Sequence, residues 1–357
     1  MLATSGTSWS PDLTKRQNSL GLCNAVASFA VASDHQPANR STLFPSAGAR
    51  ASEKGIMKIF LTGATGYIGG VVGERLVAEG HEVRGLLRNG DHARVLLEAG
   101  ITPVIGDLDD DNLLTAEAER ADGVVNTANS DHRGAAEALL RGLRGSGKPF
   151  VHTSGTSIIG DDAKGDELSS AVYDDTREVV ADSHPIRQAR FALDTAVVDA
   201  ARDGVRTVVL CNSLIYGNGR PPRPDTVLMI PLVEQARDSG VVRVVGKGVN
   251  TWSNVHVDDM AALYSISLSD STAGGFYFVE NGEASIAEIG AAIADRLGLG
   301  PVEPWPWEKA AEVWGEGLAR FALGSNSRVR ASRARELGWK PEHTSMTDWI
   351  REDMRVW

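Results

Sequence analysis

Lys58-Ile-Phe-Leu-Thr-Gly63-Ala-Thr-Gly66-Tyr-Ile-Gly69 sets three glycines at three-residue spacing directly behind a short apolar run. Lys58–Thr62 has the length and composition of a buried strand, and residues 66–79 carry the apolar periodicity of a helix. Each glycine then has its own task. Gly63 permits the tight turn, Gly66 lets backbone approach a pyrophosphate, and Gly69 lets the helix pack close to the sheet. The helix N-terminus adds unpaired N–H groups and the positive end of its dipole. A glycine triplet alone is weak, but between a strand and a helix it reads as a dinucleotide loop. Thr65, Tyr67 and Ile68 stand among the glycines and join them as candidate cofactor-binding residues.

Working outward, strand-like runs recur at Glu82–Leu87, Thr102–Ile105, Gly123–Asn126, 150–153 and 207–211. Helical patterns such as 113–119 and Arg133–Leu143 lie between them. This alternation predicts an α/β fold, a doubly wound parallel sheet with helices on both faces. Ligands of such a sheet bind beyond the carboxyl ends of the strands, where the strand order switches. After Cys211 the rhythm breaks at Arg220-Pro-Pro-Arg-Pro224, and helices are expected to dominate over 225–239, 257–268, 285–297, 307–321 and 331–337. Trp305, Trp307, Trp314, Trp339, Trp349 and Trp357 read as the core of a smaller, helix-rich C-terminal subdomain. The expected division is an extension over 1–56, a nucleotide-binding domain over 57–215, and a substrate subdomain over 216–357 with some segments returning to the first domain.

Composition narrows the class. A formal charge of -11 argues against a non-specific nucleic-acid binder, which would present a basic face. Two cysteines, Cys23 and Cys211, leave no disulfide framework and no thiolate cluster, and Cys211 in its apolar run reads as a buried thiol. No grouping has convincing metal spacing, so no metal is expected. No stretch is long and apolar enough to span a bilayer. Residues 1–56 are rich in Ser, Ala and Gly without periodicity, and their mildly apolar segment 20–32 follows Lys15 and Arg16. They read either as a targeting extension or as the product of an upstream start, with Met57 the natural first residue and the preferred reading. A cytoplasmic setting suits this composition.

Five segments in order resemble the extended and atypical short-chain dehydrogenase/reductases, the epimerase/dehydratase superfamily, from about Met57 to Trp357. Thr62-Gly-Ala-Thr-Gly-Tyr-Ile-Gly69 is close to that family's signature. Gly106-Asp107-Leu108, Asn126-Thr127-Ala128, Leu214-Ile-Tyr-Gly217 and Val255-His-Val-Asp-Asp259 fall where its later landmarks are. The resemblance implies a Rossmann-type fold and an NAD(P) cofactor. Asp107 and Leu108 would then hold the adenine, and Asn126, Thr127 and Ala128 would lie beside the ribose. Thr153 and Ser213, at the ends of later strands, join the candidate cofactor-binding residues. Pairing into a homodimer through helices beside the fifth strand is also implied.

The second strand ends at Leu87-Arg88, where an NAD enzyme usually carries a carboxylate. A guanidinium that can pair with a 2′-phosphate favours NADP over NAD. The catalytic pattern departs further. Redox members of the family carry Tyr-x-x-x-Lys on a helix, and here that helix, about 185–202, reads Arg190-Phe-Ala-Leu-Asp194. Arg190 and Asp194 are spaced for an i,i+4 ion pair, either on the surface or at the cofactor. Arginine is a poor proton shuttle but can orient a substrate carbonyl. Tyr173, four residues before Arg177 in a polar loop over 160–182, is the alternative acid. In His152-Thr-Ser-Gly-Thr-Ser157 the family's hydroxyl position falls near Gly155, leaving Ser154, Thr156 or Ser157 to serve. His152 reads as a packed histidine, Tyr216 as structural or substrate-facing, and Asp258 or Asp259 as a helix cap or a substrate contact.

Three functions are weighed. An NADP-dependent oxidoreductase or epimerase/dehydratase-like enzyme on a small polar or carbonyl substrate ranks first. A catalytically weak NADP-binding regulator, and then a scaffold with vestigial cofactor binding, follow from the missing Tyr-x-x-x-Lys.

Overall fold

A computed structural model describes residues 55–180, 184–226 and 229–355. The expected extension up to residue 54, with its candidate targeting segment and Cys23, lies outside them, as does Trp357.

Five strands open the described chain: β1 (Lys58–Thr62), β2 (Glu82–Leu87), β3 (Thr102–Ile105), β4 (Gly123–Asn126) and β5 (Pro149–Gly155). Between them run α1 (Tyr67–Ala78), α2 (Ala93–Glu98), α3 (Asp111–Arg120) and α4 (Arg133–Leu143). A short β6 (Tyr173–Asp174) and α5 (Pro185–Asp199) precede β7 (Arg206–Asn212). Then come β8 (Leu214–Tyr216), α6 (Ile230–Ser239), β9 (Arg243–Val245), β10 (Thr251–His256), α7 (Val257–Ser269), β11 (Gly275–Val279) and α8 (Ile286–Leu297).

Seven strands form one sheet in the order β3-β2-β1-β4-β5-β7-β11, and every neighbouring pair is parallel. A parallel sheet is covered on both faces, and period-2 alternation sorts its side chains between two layers. Ile59, Leu61, Val125 and Val151 face α1 and α7, burying Val72, Leu76, Met260 and Tyr264. Phe60, Val124, Phe150 and Val209 face α3, α4 and α5, burying Leu114, Leu139, Leu193 and Val197. His152 and Ser154 therefore continue the α5 side of β5, and Thr153 the α7 side.

The expectation that helices dominate beyond Cys211 is corrected. Gly275-Phe-Tyr-Phe-Val279 is the seventh strand of the main sheet, in register with β7, and β8, β9 and β10 add short pairings outside it. Phe276 and Phe278 alternate with Tyr277 and lack the β-branched run that marks the other strands. The helix expected over 307–321 stops at Trp314, because Gly315 takes φ +79° and turns the chain. A second apolar core gathers Tyr216, Leu232, Val244, Trp252, Ile289 and Ile293, with Trp305, Trp307, Trp314 and Trp349 against it. Trp339 is the exception among the described tryptophans: it packs into the main core, its indole N–H donating to the Asp259 carbonyl at 2.8 Å.

Candidate cofactor and reaction site

The strand order reverses between β1 and β4, so the carboxyl ends of these two strands frame the crevice where a ligand of this fold binds. Thr62 Oγ1 donates to Asn126 Oδ1 across that boundary at 2.5 Å. Thr127 Oγ1 returns a bond to the Thr62 carbonyl at 2.7 Å, fixing the two strand ends together.

The three glycines do different work, as a Cβ placed on each makes plain. At Gly63 (φ +70°) it would meet the Thr127 carbonyl oxygen at 2.7 Å, and at Gly69 it would meet the Gly63 oxygen at 2.1 Å. At Gly66 it would meet only the Gly63 oxygen, at 3.1 Å. Two glycines thus let loop, helix and β4 interlock, and Gly66 faces outward. Gly66 is the N-cap of α1 without a side chain to bond, and no acidic residue occupies the first turn. Among the described residues the Tyr67, Ile68 and Gly69 amides donate to no acceptor. Unpaired amides at a helix N-terminus behind an open glycine are an anion cradle. The residues present fit a dinucleotide pyrophosphate. Tyr67 itself points inward, donating from its hydroxyl to the Gly217 carbonyl at 2.8 Å, and burial pushes its pKa up. Arg220, bonded to Glu74 and Asp258, straps the chain after β8 across α1.

Around this cradle stand the other candidates. Arg88 is exposed at the end of β2 with no partner among the described residues. Asp107, exposed after β3, accepts the Asp109 amide at 3.1 Å, and Leu108 packs against the α3–α4 layer. Thr127 and Ala128 are half-buried beside Gly63. Thr153 is turned to the other layer, its hydroxyl 2.8 Å from the Tyr264 hydroxyl. Thr156 is buried and accepts from Ser327 at 2.7 Å. Ser213 donates to the Val279 carbonyl at 2.7 Å, joining its strand end to β11.

At the end of β5 the geometry departs from expectation. Arg190 and Asp194 are not paired to each other. Arg190 forks onto Asp131, Nε to Oδ1 at 2.7 Å and Nη2 to Oδ2 at 2.6 Å, and its Nη1 donates to Ser157 Oγ at 3.0 Å. Pro185 starts the helix with its φ already set, and along it Arg190 reaches the loop after β4 while Asp194 is buried against β5. A Cβ on Gly155 would lie 3.7 Å from Arg190 Nη1, an ordinary contact distance. Burial works against the Arg190 charge, and Asp131 more than restores it, so its pKa stays above the ordinary value.

Asp194 is buried and accepts from Ser154 Oγ at 2.6 Å. Burial pushes its carboxyl up to about 7, against the pull of the Ser154 bond and of Arg190. His152 is fully buried, and burial together with the Arg190 charge pushes its imidazole down to about 4. Its Nε2 lies 4.0 Å from Asp194 Oδ1, and neither atom has another partner, so a neutral imidazole faces the carboxyl rather than an ion pair. Asn126 Nδ2 lies 3.1 Å from His152 Nδ1. Because Thr62 donates to Asn126 Oδ1, the amide nitrogen donates to the ring, and the imidazole proton sits on Nε2.

Tyr173 is half-buried on β6, which pairs with Val329–Arg330. It lines a cleft of about 400 Å³ with Ile159, Asp161, Asn326 and Arg328. The α7 cap is His256, which accepts the Asp258 amide at 3.3 Å, and not either aspartate. Asp259 instead accepts the Glu342 and His343 amides, and His256 stacks on His343. Tyr216 is buried beside His256. Among the described residues no group of three or more His, Cys, Asp or Glu side chains could hold a metal ion, and no helix is long and apolar enough to cross a membrane.

Sequence reasoning missed Asp131 and the burial of Asp194. No local pattern pairs Asp131 with Arg190, 59 residues away. No local pattern marks Asp194 as buried, because the helix face it shares with Leu193 and Val197 also carries Arg187.

Comparison with known proteins agrees with this fold. Residues 59–278 match the model of the NAD dependent epimerase/dehydratase family. The oxidase ucsJ of an Acremonium species is 34% identical over 80% of this chain and 92% of its own length. The 2-alkyl-3-oxoalkanoate reductase of Stenotrophomonas maltophilia is 29% identical over 64% of this chain and 71% of its own. The dTDP-glucose 4,6-dehydratase of Bacillus anthracis, solved in complex with NAD, shares the fold at TM-score 0.65 and 18% identity, over 83% of this chain and 94% of that one. The chain belongs to the NAD dependent epimerase/dehydratase family, whose members are nicotinamide-dependent enzymes.

Proposed function

We propose that this chain is an NADP-preferring oxidoreductase acting on a small polar carbonyl compound, or its alcohol, at the carboxyl ends of β4 and β5. The observation that carries the reading is the cradle of unpaired Tyr67, Ile68 and Gly69 amides behind the open face of Gly66. Bound there, the cofactor supplies or accepts a hydride. Everything else falls to the chain. The amides hold the pyrophosphate, Asp107 and Leu108 border the adenine, and Asn126, Thr127 and Ala128 line the ribose. Arg88 is exposed and unpaired where a 2′-phosphate would lie, which supports NADP. Arg190, gripped by Asp131 and always charged, orients the substrate oxygen without trading protons. The cleft holding Tyr173 is lined by Asp161, Asp162, Asn326 and Arg328 among others and is sized for a small substrate. A carbonyl substrate also suits the name of the Stenotrophomonas relative.

The test is NADPH and NADH binding to the full chain by fluorescence, followed by NADPH oxidation with 2-alkyl-3-oxo acids and simple ketones. Tighter binding of NADPH with turnover is expected. Binding without turnover would favour a regulatory dinucleotide sensor, and no binding of either cofactor would reject the reading.

A further inference from the structure

We propose that Ser154 and Asp194 handle the proton of the reaction, Ser154 touching the substrate oxygen and Asp194 holding the proton behind it. The proposal rests on the oxidoreductase reading above and supplies what the absent Tyr-x-x-x-Lys would have supplied.

Four hydroxyls follow one another at the end of β5, and three are bonded to groups that hold no transferable proton at neutral pH. Thr153 is bonded to the Tyr264 hydroxyl, Thr156 to Ser327, and Ser157 to the Arg190 guanidinium. Only Ser154 is bonded to an ionisable acid, at 2.6 Å. Asp194 is buried beyond the reach of solvent, and burial outweighs the two groups that favour its ionised form, the Ser154 hydroxyl and the Arg190 charge. From β5, His152 presents its Nε2 proton at 4.0 Å without being charged. From β7, the buried Cys211 thiol is pushed well up and stays neutral. On its own helix, Arg190 is committed to Asp131, a carboxylate whose own charge disfavours ionising Asp194. The carboxyl is thus held near 7, where proton storage and release are both available.

In the reducing direction the carbonyl carbon gains the hydride, and the π pair of the C=O bond moves onto oxygen. The Ser154 hydroxyl turns from Asp194 Oδ2 to that oxygen and gives it its proton, and the protonated Oδ2 passes its own proton to Ser154 Oγ. An alcohol and oxidised nicotinamide are left, with Asp194 as a carboxylate that regains its proton back through Ser154 once the product has left. His152, fixed by Asn126 at the end of β4, which Thr62 at the end of β1 bonds in turn, points its Nε2 proton toward Asp194 Oδ1 at 4.0 Å, which favours the proton on Oδ2. Ser154 is therefore the catalytic residue and Asp194 the positioning residue that acts through it.

Infrared difference spectra between acidic and alkaline buffer read the carboxyl directly, with and without NADPH, and need no substrate. The expected result is a protonated-carboxyl band that fades as pH rises through about 7, disappears in Asp194→Asn and shifts in Ser154→Ala. With whichever carbonyl compound the wild type reduces, Ser154→Ala should lose about 100-fold in kcat with NADPH affinity unchanged. The fall in rate above neutral pH should vanish in Asp194→Asn. A band that survives Asp194→Asn, or an unchanged kcat in Ser154→Ala, would overturn the proposal. Failure of the wild type to bind NADPH would instead remove the oxidoreductase reading, and the infrared band, recorded without cofactor, tells the two failures apart.

Discussion

β1 and β5 flank β4 in one sheet, yet their carboxyl ends are built on different principles. The end of β1 is backbone: a glycine at positive φ, two glycines locked against Thr127 and against each other, and a row of free amides. The end of β5 is side chains: Arg190 on Asp131, Ser154 on Asp194, and His152 between Asp194 and Asn126. A phosphate cradle made of backbone tolerates no added atom where its glycines interlock, at Gly63 and Gly69. A reaction end made of side-chain partners can change its members and still order a proton and a positive charge. That contrast explains how the loop after β1 can stay fixed while the residues at the end of β5 change.

The contrast is broken most severely at Gly69. Gly69→Val would drive its Cβ against the Gly63 oxygen and Thr127 Oγ1, both fixed, and should cost about 3 kcal/mol or prevent folding. Gly66→Ala meets one atom at 3.1 Å and should stay within about 1 kcal/mol of wild type. Denaturant midpoints of the two variants measure the difference.

A second test works on the side-chain end. The fold raises Asp194 to about 7, so the stability it contributes is complete below its ordinary value and is lost as pH rises toward 7. Burial holds His152 at about 4, so its contribution is present above its ordinary value of 6.5 and is lost as pH falls toward 4. Between these limits the two trends oppose, and the wild type should be nearly flat. Asp194→Asn leaves the His152 trend alone and should lose about 3 kcal/mol of unfolding free energy on acidification across that window. A wild-type slope as steep as the variant's would contradict the assignment.

The smallest effect falls at the rim of the cradle. Arg88→Asp should weaken NADPH by about tenfold or more and leave NADH nearly unchanged. Equal losses for both cofactors would remove the argument for NADP.

The two ends were also unequally legible. The first four strands are fixed by local signals, apolar runs bounded by glycine or a helical period, and the structure places them at the residues the pattern marks. The glycine loop reads equally well because it is contiguous. Arg190 could be found as the residue standing where a tyrosine was expected, but its partner could not. Asp131 comes from the loop after β4, and only the folded sheet brings it to α5. Spacing suggested an Arg190–Asp194 pair on one helix face, and burial of that face against β5 overrode it. β11 was missed because Gly275-Phe-Tyr-Phe-Val279 has alternation too short to separate from a helix segment, and its place at the sheet edge follows from β7 rather than from itself.

The central claim is that the loop after β1 holds a dinucleotide through backbone amides. Calorimetric titration of NADPH into the full chain and into Gly66→Asp tests it most directly, with thermal melts confirming that both are folded. Binding by the wild type and none by the variant is predicted, because the new carboxylate would sit where the pyrophosphate must. Equal affinity in the two would contradict the account.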